Sequence, residues 1–72
     1  MERLAARRRL TEAERKVIVG EDDIAAQRTR LAGLAIHRAD TRAAWELLAH
    51  LEATLRILVA NRDRLRGELK VQ

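Results

Sequence analysis

Two seven-residue apolar repeats, separated by a short polar break, constrain this chain more than any other feature. The first sets Leu10, Val17, Ile24 and Leu31 in one row, with Ala13, Gly20, Gln27 and Leu34 three places later. The second runs through Ala44, Leu48, Leu51, Leu55, Leu58, Arg62, Leu65 and Leu69, at steps alternating between four and three. Residues at that spacing share one stripe of an α-helix, and an apolar stripe of this length must be covered by another helix. Between the repeats lies His37-Arg38-Ala39-Asp40-Thr41, where Asp40 or Thr41 offers an oxygen to a free N–H at the start of a second helix. The expected fold is all-α: a coiled-coil-like antiparallel two-helix hairpin in a single domain over residues 1–72. Helix one is expected over about 3–37, the turn over 38–41 and helix two over about 42–69.

Antiparallel pairing of the two stripes allows two registers, one heptad apart. One sets Leu34 against Leu48, Leu31 against Leu51, Gln27 against Leu55, Ile24 against Leu58, Gly20 against Arg62 and Val17 against Leu65. The other is one heptad shorter, and the pattern does not choose between them. Gln27 and Arg62 are polar residues inside the seams, and such residues commonly fix register at some cost in stability. With Gly20 opposite, the Arg62 guanidinium has room to reach Glu21 or Glu14. Gly20 costs the helix up to about 1 kcal/mol relative to Ala, so it marks a close contact or a kink. The first helix is expected to continue through it; a new helix starting at Glu21-Asp22-Asp23 is the alternative. Arg7-Arg8-Arg9 interrupts the repeat, so fraying is expected before Leu10. Glu12 with Lys16, and Glu52 with Arg56, stand four apart in the favourable order for helical ion pairs.

Self-association is expected from the chain's size and from its surplus of apolar residues. Ordering each residue costs about 1.5 kcal/mol, and a lone hairpin of 72 residues buries too little to leave much margin. There is no cysteine to add disulfides and no proline, while the 36% of charged residues is interspersed with apolar ones. Val17, Ile18 and Val19 are consecutive, which makes the helix apolar on more than one side. Ile18, Ala25, Ala32 and Ile36 continue that second ridge on helix one, and Val19, Ala26 and Gly33 run beside it. Trp45, Leu47, Ile57 and Val59 widen the stripe of helix two. Surfaces of this kind are seldom left wet. A homodimer closing into a four-helix bundle is the expected answer, with Ile18, Ala25, Ala32, Ile36, Trp45 and Val59 at the interface; an unidentified protein partner on the same face is the alternative.

The charged residues suggest a second function class. The net charge is +4, nearly all from arginine. Arg7, Arg8, Arg9, Arg64 and Arg66 gather at the open end of a hairpin, where they suit RNA or DNA phosphates or an anionic lipid surface. Glu2, Glu12, Glu14, Asp63 and Glu68 dilute the patch, and the single aromatic residue, Trp45, is far from it. No catalytic, cofactor or metal site is expected: His37 and His50 stand thirteen residues apart across the turn, and no cysteine or glycine-rich phosphate loop accompanies them. Glu21-Asp22-Asp23 points in three directions around a helix and reads as a solvated face. No segment approaches the ~18 apolar residues of a membrane span, and no signal-peptide run follows Met1, so a cytoplasmic setting is expected.

Gly20-Glu21-Asp22-Asp23-Ile24-Ala25-Ala26-Gln27-Arg28, with Asp40-Thr41, Leu47-Leu48, Glu52 and Asn61-Arg62-Asp63-Arg64-Leu65, resembles a group of small uncharacterised helical-hairpin proteins of alphaproteobacteria. The resemblance runs from about Val17 to Leu69. It implies a hairpin in the bacterial cytoplasm and brings no established activity. Members of that group often carry histidines at the positions of Asp23 and Leu58; this chain departs at both, so no role of those histidines transfers. The function expected from the sequence is a small non-catalytic protein–protein interaction or regulatory module that self-associates.

Overall fold

The computed structural model describes residues 2–71, without the side chain of Val71. Met1 and Gln72, the ends of the expected domain, lie outside the described residues. Two helices account for nearly all of the chain: α1, Glu2–Ile36, and α2, Arg42–Val71. They pack side by side as a hairpin, giving a rod of 55 × 14 × 13 Å. Among the described residues there is no strand.

The helix α1 is continuous through Gly20, and its span runs from Glu2, through the arginine run ahead of Leu10. Ala6 ties these first turns to the seam. It is buried at the step preceding Ala13, so the seam extends back past the arginine run, whose side chains point outward. Glu2 at the start of α1 and Lys70 at the end of α2 each complement the local end of the helix dipole.

The turn is built from backbone bonds more than from side chains. The Arg38 N–H donates to the Ala35 carbonyl at 3.1 Å, and the Ala39 N–H donates to the Leu34 carbonyl at 3.0 Å. These nested bonds form a Schellman ending, which needs one residue in the left-handed region. Arg38 takes that position, with φ of 56°, where glycine is usual. His37 has left the helix and donates its N–H to the Gly33 carbonyl at 3.3 Å. The Asp40 Oδ1 then accepts the Arg42 N–H at 3.0 Å, while the Thr41 carbonyl accepts the Trp45 N–H at 2.9 Å. Asp40 therefore supplies the capping side chain, and Thr41 the first helical acceptor of α2.

The contacts across the seam match the shorter of the two registers. A Cβ on Gly20 would stand 3.1 Å from Leu55 Cδ1 and 3.6 Å from Leu58 Cδ1, so Gly20 faces leucines and not Arg62. Carried along both helices at equal rise, that contact brings Ile24 level with Leu51, and Leu31 level with Ala44. All four belong to one packed cluster with Leu48 and Leu55. Arg62 bonds neither Glu21 nor Glu14. Its guanidinium bonds the neighbouring Asp63 at 3.0 Å, and Glu14 is taken by Arg66 at 3.1 Å.

The core is a line of residues. Ala6, Ala13, Val17, Ile24, Leu31, Leu48 and Leu65 are buried, and Gln27 is buried among them at 6% exposure. Leu10, Leu34, Leu51, Leu55, Leu58, Arg62 and Leu69 along the same seam are partly covered. No described side chain is fully enclosed, because two helices leave both flanks of every seam residue open.

Candidate interaction surfaces

The hairpin has two long flanks, and each sets exposed apolar side chains among charged ones; Glu21, Arg28, Glu52 and Arg56 line a groove on the first. On that first flank Ile18, Ala25 and Ala32 follow one another at seven-residue steps along α1, and all three are exposed. Trp45, at the start of α2, faces the same flank and is 59% exposed. Together with Ala32, Ala35, Leu31 and Leu48 it lines a groove of about 460 Å³ beside the turn. Val59 is partly covered farther along, and Ile36, at the end of α1, is 77% exposed. Arg28 and Glu52 border the groove.

The opposite flank carries Val19, Leu47 and Ile57, the last 70% exposed. Here the missing side chain of Gly20 opens a groove of about 400 Å³, floored by Leu51, Leu55 and Leu58 and rimmed by Lys16 and Asp23. Leu4 adds an exposed apolar residue near the open end that the repeat pattern does not single out, since it precedes the arginine run.

The exposed area gives these residues their weight. The chain exposes 5763 Å², whereas a compact monomer of 8.2 kDa exposes about 4,500 Å². The excess, roughly 1,200 Å², is larger than the ~800 Å² that each partner gives to a standard protein interface.

The arginines at the open end are unequally available. Arg64 bonds both Glu68 and Asn61 at 2.8 Å, and Arg66 reaches across the seam to Glu14. Arg7, Arg8 and Arg9 are exposed and, among the described residues, take part in no ion pair. Arg9 and Arg64 do share a groove with Lys16, Asn61 and Leu65. Glu12 pairs with Arg15 instead of Lys16, and that hydrogen bond holds its carboxyl below the ordinary range. Glu52 and Arg56 border one groove without forming an ion pair.

Charge is also divided along the rod. Gly20 lies against Leu55, so residues 20–55 make up the half nearest the turn. That half holds four cations against six carboxylates, three of them in Glu21-Asp22-Asp23; the open half holds eleven cations against five carboxylates.

His37 and His50 are both exposed, and among the described residues no three of His, Cys, Asp and Glu come together as a metal-holding group. Neither described helix is long and apolar enough to cross a membrane. The chain matches no protein-family model, no curated protein and no solved structure.

Proposed function

We propose that this chain is a small non-catalytic interaction module that works by self-association, two hairpins closing into a four-helix bundle. The observation that carries the reading is the excess of exposed area together with its composition: Ile18, Ile36, Trp45 and Ile57 stand in solvent, while among the described residues only seven apolar side chains are buried. Covering one flank turns the line of seam residues into a bundle core, which also offsets the ordering cost that a lone hairpin barely meets. Sedimentation equilibrium over a wide concentration range, with helicity followed in parallel, tests it. The expected result is a dimer that loses helix as it dissociates; a stable helical monomer at every concentration contradicts the proposal.

A second reading, from a different class, is an RNA- or DNA-binding hairpin dimer that uses the open end. It is favoured by one observation, the groove that Arg9, Lys16 and Arg64 share with Glu12, next in sequence to Arg7 and Arg8, which take part in no ion pair among the described residues. Phosphate binding by these groups releases counterions, so affinity must fall steeply as salt rises. Neutralising Arg7, Arg8, Arg9 and Arg64 should abolish it, and binding indifferent to salt rules it out.

A further inference from the structure

We infer that two copies of the chain pack antiparallel, the turn end of each against the open end of the other, through the flank that carries Ile18, Ala25, Ala32 and Trp45. This rests on the self-association reading above and adds the occupant's orientation. The division of charge along the rod decides the direction. A parallel pair brings the two Arg7-Arg8-Arg9 runs together at one end, cation-rich half against cation-rich half. An antiparallel pair turns the cation-rich half of each copy toward the carboxylate-rich half of its partner. On this flank the turn half offers Glu21 and Glu52 beside Arg28, and physiological salt leaves charges at such a contact felt over ~8 Å. The area fits the same occupant: a flank of 55 by 14 Å has a footprint of about 770 Å², close to what each partner of a standard interface contributes. The small side chains of Ala25 and Ala32 allow a second helix to approach closely, and the groove beside Trp45 leaves space for a partner's side chain.

The chain has no cysteine, so single spin labels can be placed without removing native thiols. Ala39→Cys labels the turn and Ala5→Cys the open end, both at exposed positions. Pulsed dipolar distances on the dimer are expected to put two turn labels roughly 40–50 Å apart, from the 1.5 Å rise per helical residue. Mixed dimers with one turn label and one open-end label should give a distance under about 30 Å on the same scale. The reverse pattern, with turn labels close and mixed labels far, overturns the antiparallel arrangement while leaving self-association standing. A monomeric mass for the labelled and unlabelled chains removes both.

Discussion

The Nε2 of Gln27 stands 2.9 Å from the carbonyl oxygen of Ala44, tying the last third of α1 to the first turn of α2. Gln27 is the one buried polar side chain among the described residues, and this bond satisfies it. Sliding the hairpin by a heptad would carry Ala44 about 10 Å away along the rod. The bond therefore belongs to one register and is lost in the other.

Replacing that side chain should separate stability from register. The net worth of a single hydrogen bond is about 1 kcal/mol, and leucine returns a similar amount as buried apolar area. Gln27→Leu is thus expected to change the denaturation midpoint little. Spin labels on facing positions of the two helices should instead report two distances where the parent reports one. A single unchanged distance would show that the register is held elsewhere, with Gly20 the next candidate.

Arg38 holds a left-handed backbone conformation that costs a residue with a Cβ on the order of 1 kcal/mol. Arg38→Gly should therefore raise the free energy of unfolding, partly offset by the greater freedom glycine gives the unfolded chain. Chemical denaturation of the variant beside Ala39→Gly, where no such conformation is relieved, checks it; equal effects at both positions would contradict the assignment.

The three glycines should answer differently to alanine. Nothing lies within 4 Å of a Cβ built on Gly33 or Gly67, so each replacement should gain up to about 1 kcal/mol from helix propensity. At Gly20 the new methyl meets Leu55 Cδ1 at 3.1 Å, and the leucine must yield. Gly20→Ala is expected to gain least of the three. Thermal melts of the three variants side by side supply the order.

Ile24 sits at the centre of the packed cluster and is 5% exposed. A carboxylate there has no partner and no route to water without opening the seam, a loss of several kcal/mol in a chain with little to spare. Ile24→Asp should abolish helicity and association together; a variant that keeps its circular-dichroism signal at 222 nm, roughly the standard helix band, would contradict the packing described above.

Trp45 makes the complementary case, because it is exposed and borders the flank assigned to the partner. Trp45→Ala should weaken association by tenfold or more, about the loss of 1.4 kcal/mol, while the hairpin keeps its register. Sedimentation at matched concentrations measures the first, and intramolecular label distances the second.

The sequence discloses the two-helix hairpin because a seven-residue apolar repeat on each side of a polar break admits few other folds. It does not disclose the register. The repeats of Val17, Ile24 and Leu31 and of Leu51, Leu58 and Leu65 look the same after a shift of seven, and the difference lies in the space left by Gly20 and in where the Gln27 amide ends. The conformation of Arg38 is equally silent, since arginine has no preference for the left-handed region and the hydrogen bonds around it come from the backbone. That acidic residues thin the basic patch is legible, but the arginine that Glu14 takes is not. Glu14 and Arg66 lie far apart in sequence, and only the register brings them together.

A core that is a line and not a volume has a bearing on how such a chain can change. Each heptad of α1 meets one heptad of α2, and among the described residues no third element rests on either. Seven residues inserted in both helices at the same level would lengthen the rod by about 10 Å and leave the turn and the remaining pairs as they are. Length is therefore a quantity this architecture can vary in matched steps, and the distance between whatever its two ends hold can be set without redesigning how it folds.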